Sequence, residues 1–410
     1  MSERVHPFSR RDALRSLAAL GLLCAAPART FAAAVKPRFA ADPFSLGVAS
    51  GYPEPDGMVL WTRLAPLPGA PGGGMNPEAV PVRWEVSGDE RFSRIAASGT
   101  AYADPAWAHS VHVELSGLEA ARPYWFRFHA GGATSPIGRT RTAPGPQSNP
   151  SRLRFAFASC QQYEQGYYGA YRHMLRDDPD LVLFLGDYIY ESSWGRDPVR
   201  RHGTPEPVTL DDYRARHALY KSDPDLMAMH AAAPWVVTWD DHEVQNDYAN
   251  DRSQYGDDPQ WFLMRRAAAY KAYYEHMPLR RSMLPLGPSA RLYTRVQHGS
   301  LATFHMLDDR QYRSPEACPR PGRGGGSNTV DVTQCAELAA PGRTMLGAAQ
   351  GDWFAAGLSA SRARWNVVAQ QTLMAQFNQK ATGPAGSARR AWTDGWDGYP
   401  AARRELLTAI

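Results

Sequence analysis

The sequence predicts an α/β protein in which an N-terminal antiparallel β-sandwich precedes a layered α/β domain. Three observations lead to this expectation. Between about residues 40 and 145, short strand-like runs are separated by turn-forming residues. The segment Thr142–Pro150 is rich in Pro and Gly, as linkers are. From Arg152 onward, strand-like and helix-like patterns alternate, which is typical of α/β proteins.

Five short strands are expected in the first domain, residues 40–145. Turn-rich pieces at 53–57 and 66–77 separate some of them. This spacing favours a fibronectin III-like sandwich. The strands are Phe44–Ser50, Met58–Thr62, Val82–Val86, Val111–Leu115 and Tyr124–Phe128.

The second domain, residues 150–410, is expected to be built around the apolar run Leu181–Leu185. A run without polar residues suits a central parallel strand that is covered on both faces. Further strands are expected at Leu153–Ser159, Pro234–Trp239 and Trp365–Ala369. Helices are expected from the capping box at Thr209 through Tyr220, and at Gln260–His276, Trp353–Leu358 and Tyr399–Ile410.

Asp187 follows the central strand, and Tyr190 comes three residues later. Open α/β sheets bind ligands at the carboxyl ends of their strands, so these two side chains could hold a metal ion there. A Gly-Asp pair after a strand is also common in ordinary turns and at helix N-caps. The local sequence leaves both interpretations open.

A second candidate site follows the strand Pro234–Trp239. Acidic groups this close repel one another, and a hard cation held by carboxylate, amide and imidazole groups would offset the repulsion. A solvated acidic loop that caps a helix is the alternative. The residues are Asp240, Asp241, His242, Glu243, Asn246 and Asp247.

Cys160 lies at the end of the strand Leu153–Ser159. A thiolate at that edge is a soft ligand, which would favour iron or zinc over magnesium. An inert thiol is the usual alternative for a single cysteine.

The blocks FASCQ, FLGDYIYE and VVTWDDHEVQNDYAND, in this order, resemble the PhoD-like alkaline phosphatase family, relatives of the calcineurin-like metallophosphoesterases and purple acid phosphatases. The resemblance covers nearly all of residues 40–400. It implies a layered metallophosphoesterase domain that hydrolyses small-molecule phosphate mono- or diesters at a mixed Fe³⁺ and Ca²⁺ centre. The expected mechanism is attack by a metal-activated water.

The resemblance also implies roles for individual residues. Cys160 and Tyr190 correspond to ligands of the ferric ion, and Asp187 corresponds to the bridge between the metals. Asp240 and Asn246 would lie on the calcium side.

Two residues of the second acidic block take their roles from the wider superfamily. Asp241 is a further ligand candidate, and His242 is the candidate catalytic residue that orients or protonates the phosphate. A phospholipase D-like phosphodiesterase and an inactive metal- or phosphate-binding fragment are the alternative functions.

The superfamily completes its site with a late Gly-Asp-x-His block, which the chain lacks. The last histidine is His305, and the later Gly351-Asp352 enters a helix-like segment. The final helix-like segment reaches Ile410 without a C-cap glycine. We therefore expect a truncated domain that lacks its last strands, with a weakened metal site, an unpaired apolar sheet edge and doubtful activity.

Residues 1–34 predict a twin-arginine (Tat) export signal. Arg10 and Arg11 precede a short apolar region and an Ala-rich end. The apolar region is too short to span a membrane, and no stable anchor is expected. The interpretation implies contact with the Tat machinery and a periplasmic or secreted location; a surface helix is the alternative.

Composition and the remaining cysteines complete the prediction. The net charge of +4 comes mostly from residues 1–34, so no nucleic-acid partner is expected.

Cys318 and Cys335 flank a loop rich in Gly, Pro and Arg. In an oxidising compartment they favour a disulfide, contributing about 3 kcal/mol in the chain-entropy estimate. Two free thiols are the alternative.

Overall fold

The structure, a computed structural model, describes residues 37–322, 325–379 and 389–410. Residues 38–410 form one compact unit. The predicted Tat signal at residues 1–34 lies outside the described residues and stays a prediction. Among the helices of the described segments, none has both the length and the apolar character that a membrane crossing requires.

Eight strands occupy the N-terminal region and form the two layers of a sandwich, as expected. One layer has the order β4-β3-β6-β7, with β8 also paired to β6, and the other contains β5, β2 and β1. Apolar side chains from both layers pack into one buried cluster. The strands are β1 Val48–Glu54, β2 Gly57–Arg63, β3 Val80–Ser87, β4 Ile95–Ala103, β5 Ser110–Glu114, β6 Pro123–Ala130, β7 Ala133–Thr134 and β8 Gly138–Arg141.

The second layer of the sandwich continues into the sheet of the α/β region. Strand β1 pairs in parallel with β11 (Pro234–Thr238), which gives a six-stranded sheet of order β5-β2-β1-β11-β10-β9. Gly51 permits this approach, because a Cβ there would lie 2.6 Å from the Trp235 carbonyl oxygen. The predicted division at residues 145–150 therefore separates sequence segments that share one sheet.

Strand β10 (Leu181–Leu185) lies between β11 and β9 (Phe155–Ala158) and pairs in parallel with both. Its first four residues are buried, as the apolar run predicted. Strand β9 is the last in the described order of this sheet, and the Phe157 side chain on it is 67% exposed. The carboxyl ends of the three strands meet at one edge.

Six helices cover the described part of the α/β region. The capping box predicted at Thr209 is confirmed: its hydroxyl accepts from the Asp212 N–H, and the Asp212 carboxylate accepts from the Thr209 N–H at 2.8 Å. The helices are α1 Gly169–Asp177, α2 Leu210–Lys221, α3 Pro224–Ala232, α4 Pro259–His276, α5 Gly347–Ala360 and α6 Pro400–Ala409.

The C-terminal part contains a second, smaller sheet and a disulfide. The sheet has the order β12-β13-β15, and β14 pairs with β16. Cys318 and Cys335 form the disulfide that the sequence favoured, so the free-thiol alternative is excluded. The strands are β12 Thr294–His298, β13 Ala302–Met306, β14 Thr329–Asp331, β15 Trp365–Ala369 and β16 Arg390–Trp392.

A group of buried basic side chains lies between α2, α4 and β2. The His217 ring stacks on the His276 ring with centroids 5.0 Å apart. Within the described structure, neither ring nitrogen of His217 has a hydrogen-bond partner. Burial, and then the charges of Lys221, Arg63 and Arg216, lower the pKa of His217 to about 3. His217 is therefore neutral in the folded chain.

We expect His217→Phe to make the protein more resistant to mild acid. The unfolded chain protonates this histidine below a pH of about 6.5, whereas the folded chain does not do so until about pH 3, so stability falls as pH drops through that interval. At pH 5 this linkage costs about 2 kcal/mol, and phenylalanine keeps the ring stacking without the titration. Urea unfolding at pH 8 and pH 5 measures the difference.

The exposed His173 provides the matched control, because His173→Phe changes the same side chain in solvent. The free energy of unfolding of His217→Phe, relative to the unsubstituted chain, should rise by about 2 kcal/mol between pH 8 and pH 5. If the difference in free energy of unfolding between His217→Phe and the unsubstituted chain is the same at pH 8 and pH 5, the assignment of a neutral, buried His217 is wrong.

Candidate metal centre

Three turns at the carboxyl ends of β9, β10 and β11 build the candidate site. The first two are joined by backbone hydrogen bonds, from Cys160 N–H to the Gly186 carbonyl and from Gln161 N–H to the Asp187 carbonyl, both 3.1 Å. Gly186 has a φ of 98°, and a Cβ on it would lie 2.5 Å from the Asp240 backbone nitrogen. Only glycine allows the second and third turns to approach this closely.

Asp187, Asp241 and His242 form the centre of this site. One potential ligand atom from each lies within 4.8 Å of the others, and all three residues are buried. The turns thus bring the GDYIY acid and part of the DDHE block together, although they are separated by more than 50 residues in the chain. Burial, and then the neighbouring Asp241 carboxylate, raise the pKa of Asp187 to about 6. A cation bound here would therefore stabilise the ionised form of both carboxylates.

Tyr190 and Cys160 border the same cluster. The Tyr190 hydroxyl donates to Asp187 Oδ2 at 3.0 Å, and its ring lies against the His242 ring with centroids 4.1 Å apart. Desolvation and the Asp187 carboxylate raise the pKa of the Cys160 thiol to about 12, and the same two causes raise the pKa of Tyr190 far above its usual range. Without a cation, both groups are protonated.

Asp240 and Asn246 lie outside the three-residue cluster. Asp240 accepts from the Arg310 guanidinium through Oδ1. The Asn246 side-chain amide donates to Gln254 Oε1 at 3.1 Å. We expected calcium to supply the positive charge next to Asp240, but Arg310 supplies it in the structure. A local sequence pattern cannot show such a contact with a distant residue. The calcium roles of these two residues stay predictions.

Comparisons with known proteins identify the family of the chain. The family model for PhoD-like phosphatases matches residues 155–410, and the model for the N-terminal domain of the same family matches residues 29–144. The chain belongs to the PhoD-like phosphatase family. It is 50% identical over 398 residues to alkaline phosphatase D of Bacillus subtilis (strain 168), which covers 95% of this chain and 66% of that protein.

A solved structure of PhoD is similar to the fold described above. The TM-score is 0.85 at 50% sequence identity, and the alignment covers 91% of this chain and 70% of that chain. This PhoD-like chain therefore spans about two thirds of the length of the curated relative. The expected family and α/β fold class are confirmed.

Arg310 neutralises one side of the site in this PhoD-like chain, a role that sequence reasoning missed. The guanidinium is buried and contacts Asp240, Asp241 at 3.3 Å and Asp394 at 2.8 Å. Although burial alone would raise the pKa of Asp241, Arg310 and His242 hold it below its usual value. Arg310 follows Asp308 and Asp309 directly, which was the only signal available in the sequence.

Glu243 joins the second and third turns. Its buried carboxylate accepts backbone N–H groups from Asp187 at 3.1 Å, Tyr188 at 2.6 Å and Asp240 at 2.8 Å. Glu243, the last residue of the DDHE block, thus fixes the backbone that presents Asp187, and these three donors engage both of its carboxylate oxygens. We therefore assign Glu243 a positioning role.

Glu191 orients His242. Its Oε2 lies 2.6 Å from His242 Nδ1, and its Oε1 accepts from the Asn246 N–H at 2.9 Å. Burial opposes protonation of the imidazole, but Asp241 and Glu191 raise the pKa of His242 well above its ordinary value. The imidazole is therefore charged and held by one nitrogen. Glu191 is the last residue of the FLGDYIYE block, so its position offered a signal that we did not use.

Proposed function

We propose that this chain is a metal-dependent phosphatase that hydrolyses small-molecule phosphate mono- or diesters. The convergence of Asp187, Asp241 and His242 within 4.8 Å at the carboxyl edge of the sheet carries the proposal. Ligands bind at this edge in open α/β sheets. Family membership and the alkaline phosphatase D relative support the same reaction class.

The donor set suits the metals proposed, Fe³⁺ and Ca²⁺. Cys160 and Tyr190 would supply a thiolate and a phenolate, which suit iron, and the carboxylates of Asp187 and Asp241 suit both ions. Asp187 and Asp241 place two buried carboxylates next to each other, and a bound cation would offset their repulsion. When bound, such ions neutralise the phosphoryl oxygens and lower the pKa of the attacking water.

The chain's own groups supply orientation and a proton. We assign His242 as the proton donor to the leaving alcohol, because its imidazole is charged and Glu191 occupies Nδ1 at 2.6 Å. Nε2 is then the nitrogen that would face the ester. Tyr190 fixes the Asp187 carboxylate through its hydroxyl, and Glu243 fixes the backbone of the same turn.

Export to the periplasm or medium through the Tat machinery is part of the proposal. It rests on Arg10 and Arg11 in the sequence. The disulfide between Cys318 and Cys335 supports it, because structural disulfides persist in oxidising compartments.

The function is tested with the purified chain by metal analysis and by turnover of p-nitrophenyl phosphate and bis-p-nitrophenyl phosphate. We expect turnover that a chelator abolishes and that Fe³⁺ with Ca²⁺ restores. Preference for the second substrate would favour the phosphodiesterase alternative. Bound metal without turnover of either ester would indicate the metal-binding alternative and overturn the proposed activity.

Replacing Glu191 by Gln should lower kcat by about 10- to 100-fold, as loss of an orienting partner does in metal sites. Glutamine keeps the size of the side chain but removes the charge that holds His242 protonated and oriented. Bound metal and KM should change little. Glu206→Gln is the matched control, since Glu206 pairs with Arg265 and its side chain is 38% exposed. An unchanged kcat in Glu191→Gln would exclude the positioning role.

A further inference from the structure

Two loops next to the cluster are joined into one rim. The segment 161–168 follows Cys160, and the segment 191–200 follows Tyr190. Gln162 Nε2 donates to the Ser192 carbonyl at 3.2 Å, and the Val199 N–H donates to the Glu164 carbonyl at 2.9 Å. We call these two segments the rim. Each segment thus begins next to a candidate ligand, Cys160 or Tyr190.

Arg200 anchors the rim. The Arg200 guanidinium donates to the Tyr163 carbonyl at 2.7 Å and lies 3.7 Å from the centroid of the Tyr163 ring and 4.4 Å from that of Tyr168. It also pairs with the Asp223 carboxylate at 2.7 Å. These contacts anchor the rim, and none of them involves Trp194.

Trp194 is half exposed on this rim, at 51%. The ring contact described for it is with Tyr190, with centroids 6.0 Å apart. Tyr190 in turn lies against His242, with centroids 4.1 Å apart. A series of rings therefore leads from the imidazole to the surface, and Trp194 is its outermost member.

We propose that Trp194 binds the alcohol half of the phosphate ester and that the site prefers esters whose alcohol carries a ring. The inference rests on the proposed function. A phosphoryl group held at Asp187, Asp241 and His242 would lie beside the Tyr190 ring, whose hydroxyl donates to Asp187, and the exposed Trp194 ring is the next ring outward. An aromatic or ring-bearing alcohol gains a stacking surface there, whereas a short polar alcohol does not.

The test compares Trp194→Ala and Trp194→Phe with p-nitrophenyl phosphate and with the ring-free ester glycerol 2-phosphate. In Trp194→Ala, KM for the aromatic ester should rise about three- to tenfold, the size of one aromatic contact, while kcat changes little. Trp194→Phe should restore most of the affinity. KM for glycerol 2-phosphate should be the same in all three proteins.

A second measurement separates this inference from the proposed function. Calorimetric binding of phenylphosphonate and methylphosphonate to the metal-loaded chain requires no turnover. We expect the unsubstituted chain to bind phenylphosphonate more tightly and Trp194→Ala to bind the two equally. Trp365→Ala is the matched control, because Trp365 is 61% exposed and lies on β15 of the other sheet.

The outcomes are distinct. Absence of turnover with metal bound would overturn the proposed activity alone. Equal affinity of the unsubstituted chain for the two phosphonates, failure to bind either of them, or an equal KM change for both esters in Trp194→Ala would overturn the role of Trp194.

Discussion

Replacing Arg310 by Met is expected to destabilise the fold by about 3–5 kcal/mol, because it leaves buried carboxylates without the charge that neutralises them. Arg310 is 1% exposed and contacts Asp240, Asp241 and Asp394. Methionine fills a similar volume, so the loss of charge rather than of packing dominates the effect. Urea unfolding at neutral pH measures the change.

Arg172→Met is the matched control. Arg172 also pairs with a carboxylate, that of Asp225 at 2.8 Å, but its side chain is 64% exposed. Exposed pairs contribute about 1 kcal/mol or less, so this variant should unfold almost as the unsubstituted chain does. A loss below about 1 kcal/mol in Arg310→Met would show that the buried network tolerates an unpaired charge.

Arg310→Met also tests Asp240 as a calcium ligand. Removing Arg310 frees the Asp240 carboxylate, and Ca²⁺ that binds the folded state would restore part of the lost stability. The restoration should be absent from Arg310→Met/Asp240→Asn. Equal recovery in both proteins would place the calcium elsewhere and remove Asp240 from the proposed ligand set.

The elements that the sequence predicted well are those with strong local signals. The strand Leu181–Leu185 was predicted to the residue because five apolar residues lie between Asp180 and Gly186. Strand β4, Ile95–Ala103, was missed because it consists mostly of Ala, Ser and Gly, which carry little strand preference. Helix α3 was missed although Asp223 and Pro224 form an N-cap and first-turn signal.

Long-range pairing lies beyond such local signals. The parallel pairing of Gly51 with Trp235 joins strands that are more than 180 residues apart, and neither strand shows it in its own pattern. The site divides in the same way. Asp187 and His242 were predicted from strand ends, whereas the contact of Arg310 with Asp240 depends on how distant segments fold together.

Replacing His242 by Ala should reduce turnover by about 10²–10⁴-fold, the range expected for loss of a general acid. Glu191 holds His242 by Nδ1 at 2.6 Å, and Asp187 and Asp241 supply the carboxylate ligands of the proposed centre. We therefore expect the bound metal to be retained. Asp187→Asn should lose both metal and turnover, because that carboxylate is at the centre of the cluster.

A comparison of two esters whose leaving alcohols differ in their need for a proton tests the role of His242 as a general acid. p-Nitrophenol departs readily without a proton, whereas the alcohol of glycerol 2-phosphate needs one, so His242→Ala should impair hydrolysis of the second ester more strongly. The exposed His173→Ala serves as the control and should leave both rates unchanged. If His242→Ala loses its metal, or slows both esters equally, His242 acts as a metal ligand or a phosphate-binding group. The proton must then come from another group.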